Sequence, residues 1–154
     1  MDISWVTERV ALGGGIWNAR NMEELAQAGV THVINMQVEF DDGPLAEPHG
    51  IRVLWNPTDD DFLLKPPELL GRGVDFALGA LAEGETRVYV HCAAGVHRAP
   101  MMTLAVLCAM DWEMEAAMVR IETRRPAVDF ADVYVESVRR FLESRVESGT
   151  ENSE

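Results

Sequence analysis

Residues 87–98 read RVYVHCAAGVHR, and this stretch decides the fold class. Its first part, Arg87 to His91, is rich in β-branched and aromatic side chains, which is typical of a buried strand. Cys92 to Arg98 is short and contains glycine, which predicts a tight loop. The apolar run from Ala99 to Met110 predicts a buried helix. A strand that passes through a short loop into a helix is the repeating unit of α/β folds.

The same alternation continues in both directions along the chain. The sequence pattern predicts strands at 10–12, 30–36 and 51–54, helices at 18–28, 66–82, 113–123 and 130–146, and polar loops at 37–50 and 55–62. We expect an α/β fold with a mostly parallel central sheet flanked by helices. The length of 154 residues predicts a single domain over 1–147, followed by a disordered acidic tail over 148–154.

The composition argues against several kinds of function. Thirteen basic and 26 acidic residues give a net charge of −13, which repels nucleic acid and anionic membrane surfaces. We find no segment typical of a membrane span or of a secretory signal, so we expect a cytoplasmic protein. Two cysteines, Cys92 and Cys108, are too few for a disulfide framework. We expect both to be free thiols, with Cys108 buried in a structural role.

The loop after the strand combines groups that suit phosphate chemistry. A loop that curls between a strand and a helix points its amides inward and binds anions, and Gly95 tolerates the dihedrals that such a turn needs. Arg98 presents a planar fork to two phosphoryl oxygens. The predicted phosphate-binding loop comprises Ala93, Ala94, Gly95, Val96, His97 and Arg98.

Cys92 is the candidate nucleophile of this loop. A helix N-terminus and a neighbouring arginine favour the thiolate over the thiol. A thiolate already formed needs no general base, so we interpret His91 as a residue that holds the loop by hydrogen bonding.

The motif from His91 to Arg98 resembles the Cys-x5-Arg signature of the protein tyrosine phosphatases. The chain length resembles their compact dual-specificity branch, and residues 5–36 are similar to its amino-terminal strand-helix-strand region. Arg124-Arg125-Pro126 resembles an arginine–proline pair of that branch, so the resemblance extends over residues 5–145. It implies a dual-specificity-phosphatase fold, a phosphocysteine intermediate on Cys92 and phosphate binding by Arg98, with no metal or cofactor.

Phosphoryl transfer to Cys92 leaves an alkoxide or phenoxide that needs a proton, and the family places an aspartate about 30 residues before the cysteine. Asp59, Asp60 and Asp61 lie 33, 32 and 31 residues before it, so spacing leaves all three open. The register of Pro57 and the helix pattern around 74–76 favour Asp60 as the general acid. The three aspartates lack the alternating spacing of a calcium loop, so we interpret the other two as solvated.

Ala99 departs from the family pattern, in which a serine or threonine hydroxyl assists departure of the cysteine thiolate. Arg98-Ala99-Pro100 resembles the phosphatase-of-regenerating-liver subgroup, which is known for slow turnover. We therefore expect slow hydrolysis of the phosphocysteine. The variable loop positions carry no lysine, which argues against phosphoinositides as substrates. His97 either adds a pH-dependent positive charge at the edge of the loop or is a partly exposed histidine of little consequence.

The predicted substrate is a phosphorylated protein or a small phosphate monoester, and phosphotyrosine, phosphoserine and phosphothreonine all stay open. One alternative is a slow or inactive phosphatase-fold module that binds a phosphopeptide or partner protein, which Ala99 would fit. A second alternative is a rhodanese-like sulfurtransferase, which also uses a cysteine in an anion-binding loop but leaves Asp60 and Arg98 without a purpose. The sequence predicts no nucleic-acid or membrane partner and leaves the oligomeric state open.

Overall fold

A five-stranded sheet forms the centre of the part of the chain that the structure describes. The structure is a computed structural model that describes the backbone of residues 1–152 and the side chains of residues 1–147. The strands are β1 Ile3–Trp5, β2 Val10–Gly13, β3 His32–Asn35, β4 Arg52–Trp55 and β5 Val88–His91. Their spatial order is β1-β2-β5-β3-β4, with β1 antiparallel to β2 and the other neighbours parallel.

Helices cover both faces of this sheet. They are α1 Ala19–Gln27, α2 Gly43–Ala46, α3 Pro67–Leu81, α4 Arg98–Ala109, α5 Met114–Arg124 and α6 Asp132–Asn152, with a 3-10 turn at Glu47–His49 after α2. The core on the α3–α6 face includes Val88 and Val90 of β5, whereas Tyr89 lies in the core on the α1 face. Side chains that alternate between two apolar layers explain why β5 is buried along its whole length. The expected α/β fold with a mostly parallel sheet is confirmed.

The structure differs from the sequence pattern at both ends of the chain. The pattern misses β1, because a half-buried strand of three residues is too short to show a period, and its pairing with β2 depends on a turn. At the other end, α6 continues to Asn152, past the predicted helix end at Val146. The predicted disordered tail comprises residues 148–154. The backbone of 148–152 continues α6, and residues 153 and 154 lie outside the described residues. Among the described residues, no helix has the length and apolarity to cross a membrane.

Candidate active site

The predicted phosphate-binding loop lies at the middle of the sheet's carboxyl edge. β5 is flanked by the parallel strands β2 and β3, and His91 aligns with Gly13 and Asn35, so the three strands end level. The loop therefore shares one edge with the segments that follow β2, β3 and β4. In α/β sheets this edge is where ligands bind.

The carbonyl groups of the loop point away from its centre. Ala93 O accepts a hydrogen bond from Gly15 N, and Val96 O accepts one from Asp129 N, both at 3.0 Å. A planar trans peptide directs its N–H opposite to its C=O, so the amides that follow these carbonyls face inward. Within the described part of the chain, the amides of residues 93–97 donate no backbone hydrogen bond.

Arg125 holds the middle of the loop in the same orientation. Its Nη2 donates to Ala94 O at 3.0 Å and its Nε donates to Gly95 O at 2.9 Å. The guanidinium also binds the carboxylate of Asp2, with Nη1 donating to Oδ1 at 2.9 Å and Nη2 donating to Oδ2 at 2.7 Å. These hydrogen bonds lower the pKa of Asp2. Arg125 is itself buried. Four consecutive carbonyls are thus held outward, and the inward amides form an anion cradle.

Gly95 meets two requirements that exclude a side chain. Its φ of +70° lies in the left-handed region, where residues with a Cβ are strained. A Cβ at this position would also lie 2.5 Å from the carbonyl carbon of Gly13. The sequence prediction of unusual dihedrals at Gly95 is confirmed.

Cys92 lies at the base of the cradle, where α4 begins. Its side chain is buried, and Sγ accepts a hydrogen bond from Ala99 N at 3.3 Å. The positive end of the α4 dipole also stabilises negative charge at this sulfur. Ala99 is buried beside it and adds no hydroxyl group.

Arg98 is held by an ion pair that the sequence analysis did not predict. Its Nη1 and Nη2 donate to the two carboxylate oxygens of Glu39 at 2.7 and 2.9 Å, and Nη1 also donates to Thr58 O at 3.0 Å. These hydrogen bonds lower the pKa of Glu39 to about 2 and raise that of Arg98. Arg98 Nε is buried and has no hydrogen-bond partner among the described residues. The guanidinium therefore keeps a buried donor free on the edge that does not bind Glu39.

His91 supports the loop through a second carboxylate from the segment after β3. Its Nε2 lies 2.5 Å from Oδ2 of Asp42, and both side chains are completely buried. Its Nδ1 lies 3.4 Å from Cys92 O. This arrangement links the base of the loop to the segment that carries Glu39, as a structural role for His91 requires.

The three aspartates after β4 make different contacts. Asp61 pairs with Lys65, whose Nζ lies 2.6 Å from Oδ1, and this hydrogen bond lowers the pKa of Asp61. Asp59 binds Lys65 through its backbone carbonyl only. Asp60 contacts the loop, because its Oδ2 lies 2.9 Å from Nδ1 of His97. The structure thus separates three residues that spacing leaves equal.

Comparison with known proteins identifies the family. A family model described as the dual specificity phosphatase catalytic domain matches residues 15–143. The chain belongs to this family. It is 35% identical over 118 residues to Protein phosphatase Slingshot homolog 3 of Rattus norvegicus, which covers 75% of this chain and 17% of the relative. Identity to Protein phosphatase Slingshot of Drosophila melanogaster is 34% over 126 residues, covering 80% of this chain and 11% of the relative.

Two solved structures have the same fold. PTPMT1 superposes with a TM-score of 0.83 over 97% of this chain and 99% of that one, at 24% identity. Human DUSP28 gives a TM-score of 0.79 over 94% of this chain and 95% of that one, at 22% identity. The chain spans about a sixth of the length of the Slingshot relatives, whose matched share is 17% or less.

Family membership favours phosphatase chemistry over the sulfurtransferase alternative. The structure places His91 at the end of β5, Cys92 directly after it and Arg98 at the start of α4, and it joins Asp60 to the loop between them through His97. The resemblance of Arg98-Ala99-Pro100 to the phosphatase-of-regenerating-liver subgroup stays a prediction.

Sequence reasoning missed several residues that contact the loop, its candidate acid Asp60, or the supporting residues Arg125 and His91. They are Asp2, Glu39, Asp42, Asp129 and Tyr134. Each comes from a segment far from the loop in sequence, and single carboxylates among 26 acidic residues carry no signal of their own. Arg125 did have a signal, because it lies in the arginine–proline pair that resembles the family.

Proposed function

We propose that the chain hydrolyses phosphate monoesters through a phosphocysteine on Cys92. The observation that carries this proposal is the loop itself: its carbonyls are all bonded outward, its amides face inward, and Arg98 keeps a buried, unpartnered Nε among the described residues. Such a cradle suits a group with three equatorial oxygens. Family membership over residues 15–143 supports the same chemistry.

In the first step of the proposed reaction, Cys92 attacks phosphorus and the bond to the leaving oxygen breaks. Arg98 and the loop amides stabilise the charge on the equatorial oxygens. Asp60 gives a proton to the leaving oxygen, a role that its contact with His97 in the loop supports.

In the second step, water attacks the phosphocysteine and the P–S bond breaks, returning the electron pair to Cys92. Asp60 accepts the proton from the water. Ala99 offers only its backbone N–H to the departing sulfur. We therefore propose that this step limits turnover. The alternative of a slow phosphopeptide-binding module involves the same site and the same chemistry, since such a module is a phosphatase whose second step is very slow.

The proposed substrate is a phosphorylated side chain of a protein. Large exposed apolar side chains lie at the end of β4 and on the segments that follow β2, β3 and β4, which share the loop's edge; they are Trp17, Val38, Trp55, Phe62, Leu63 and Leu64. Such a rim suits apolar residues that flank a phosphorylated one. The Slingshot relatives are named protein phosphatases.

Phosphoinositides are the second candidate substrate, because one structure of PTPMT1 is a complex with PI(5)P. We favour protein because the loop positions Ala93, Ala94 and Val96 carry no cation and the net charge of −13 repels an anionic membrane.

We propose that the protein works in the cytoplasm. Both cysteines are free thiols, and one of them is the proposed nucleophile, which the reducing conditions of the cytoplasm keep in the thiol state.

The test is hydrolysis of para-nitrophenyl phosphate and of a phosphotyrosine peptide by the wild type, Cys92→Ser and Asp60→Ala across a pH series. We expect Cys92→Ser to abolish both activities and Asp60→Ala to flatten the pH dependence for the peptide. Undiminished hydrolysis by Cys92→Ser would falsify the mechanism.

A further inference from the structure

His97 lies between two carboxylates at the mouth of the loop. Its Nδ1 is 2.9 Å from Oδ2 of Asp60, and its Nε2 is 3.2 Å from Oδ2 of Asp129. The side chain of His97 is 23% exposed. The ring of Phe62 packs edge-on against the imidazole, with 5.0 Å between the ring centroids. Both ring nitrogens are therefore engaged, and one of them contacts the proposed general acid.

Building on the proposed function, we propose that His97 supplies Asp60 with the proton that Asp60 passes to the leaving group. His97 itself does not touch the reacting atoms. It acts through Asp60, as a positioning residue that also stores a proton.

Asp129 sets the hydrogen bonding of the ring. Its backbone N–H binds Val96 O at 3.0 Å, so the loop itself places the Asp129 carboxylate beside His97. When Asp60 carries a proton on Oδ2 and the ring is neutral, Nε2–H is donated to the Asp129 carboxylate and Nδ1 accepts the hydrogen bond from Asp60. In the cationic ring, both nitrogens donate. The same geometry therefore accommodates a proton on either side of the Asp60–His97 contact.

Tyr134 restricts the other oxygen of Asp60. Its hydroxyl accepts a hydrogen bond from Phe62 N at 3.1 Å and donates to Oδ1 of Asp60 at 2.9 Å. Burial raises the pKa of Tyr134 to about 12, so the hydroxyl stays protonated and remains a donor. The hydrogen bond from Tyr134 to Oδ1 favours Oδ2, the oxygen that faces His97, as the position of a proton on Asp60.

A general acid is most effective when it holds its proton near the working pH. An aspartate that is hydrogen-bonded to a histidine has a second proton-carrying group in direct contact with it. A proton on the imidazole can therefore replace the proton that the aspartate passes to the leaving group.

The transfer is balanced over the two steps. During attack by Cys92, the proton moves from Nδ1 of His97 to Oδ2 of Asp60, and from there to the leaving oxygen as the P–O bond breaks. During hydrolysis, the proton lost by the attacking water moves to Oδ2 of Asp60 and back to Nδ1 of His97. The pair ends as it began, and no further reactant is needed.

Other charged groups face this pair from each neighbouring segment. Asp59 and Asp61 flank Asp60, and Lys65 neutralises Asp61. Cys92 and Arg98 lie in the loop, where Glu39 pairs with Arg98. The side chain of Asp129 is 70% exposed, so salt screens its charge. The effect of Asp129→Asn should consequently be smaller than that of a change at His97, and it should shrink as salt is added.

The test compares two substrates across pH for the wild type, His97→Asn and His97→Ala. Asparagine places an amide near the position of Nδ1, so it keeps a hydrogen bond to Asp60 but takes up no proton. Phenyl phosphate has a leaving group that needs a proton, whereas para-nitrophenyl phosphate has one that needs little assistance. His49→Asn, at an exposed histidine of the 3-10 turn, is the matched control.

For His97→Asn, we expect kcat/KM with phenyl phosphate to fall about tenfold at pH 7 and its basic-side decline to begin at lower pH. Activity on para-nitrophenyl phosphate should change less than about threefold. His49→Asn should match the wild type. An unchanged phenyl phosphate profile in His97→Asn, with loss only in His97→Ala, would mean that His97 merely positions Asp60 and would overturn the proposal.

A measurement without substrate keeps this proposal separate from the proposed function. The ¹⁵N resonances of the His97 ring, compared between the wild type and Asp60→Asn at one pH, should move, whereas those of His49 should not. Resonances that stay in place would overturn the coupling even in an active phosphatase. A wild type that hydrolyses neither substrate would overturn the proposed function and the role of His97 in it.

Discussion

Glu39 and Arg98 form a bidentate ion pair, with Nη1–Oε1 at 2.7 Å and Nη2–Oε2 at 2.9 Å. The pair occupies the side of the guanidinium opposite Nε of Arg98, which is buried and has no partner among the described residues. Glu39 therefore holds the arginine in one orientation without using the donor that we assign to phosphate. The sequence analysis placed Glu39 in a polar loop and assigned it no role.

The ion pair predicts a pH dependence of stability. The folded-state pKa of Glu39 is lowered to about 2 by Arg98, below the unfolded value, so the pair stabilises the fold above about pH 4.3. That stabilisation is lost as the pH falls toward 2. We expect Glu39→Gln to unfold at lower urea than the wild type at pH 6, and the difference to shrink progressively below about pH 4. A difference that stays constant down to about pH 3 would contradict this account.

Arg125→Lys should weaken the loop from outside the phosphate site. A lysine offers one charged nitrogen where Arg125 binds Ala94 O, Gly95 O and Asp2 together. We expect the free energy of unfolding to fall by about 2 kcal/mol and kcat/KM by at least about tenfold, because the loop carbonyls lose their donors. Arg124→Lys, at the exposed neighbour, is the matched control and should change neither quantity.

The contacts of the three aspartates predict unequal effects of the same substitution. Asp60→Asn should lower hydrolysis of phenyl phosphate by about a hundredfold, because Asn has no proton to give to the leaving group. Asp61→Asn should remove only the pair with Lys65 and leave kcat within about threefold of the wild type. Comparable losses in the two variants would show that the contact with His97 does not select the acid.

Ala99→Ser should accelerate the second step. The serine hydroxyl would add a second donor to Cys92 Sγ, which receives one hydrogen bond from the described residues, donated by Ala99 N. We expect steady-state turnover of an aryl phosphate to rise about tenfold and the pre-steady-state burst to shrink. Ala116→Ser, on the exposed surface of α5, makes the same chemical change away from the loop. If the burst and the breakdown rate are unaffected in Ala99→Ser, the slow step does not depend on residue 99.

Asp42→Ala should destabilise the protein more than its place in a loop suggests. His91 and Asp42 are both completely buried, and the substitution leaves His91 without its partner. We expect a loss of about 2 kcal/mol in the free energy of unfolding. Asp41→Ala, at the exposed neighbour, should have little effect on urea denaturation.

The α/β class, the phosphate-binding loop and the family could all be predicted from the amino-acid sequence, because each depends on residues that are close together in the chain. Strand and helix periods are local, and so are the seven positions from Cys92 to Arg98. The same locality explains the errors at the ends: β1 becomes a strand only by pairing with β2, and α6 continues beyond the apolar pattern that predicts it.

The residues that support the loop could be identified only once the chain was folded. The carboxylates of Glu39, Asp42 and Asp129 reach it because parallel strands and the α5–α6 connection converge at one edge of the sheet. Asp59, Asp60 and Asp61 are equivalent in spacing, and they differ because the Asp61 side chain pairs with Lys65 while the Asp60 side chain contacts His97 and Tyr134. Contacts of this kind depend on where distant segments meet in space, which no local pattern of residues specifies.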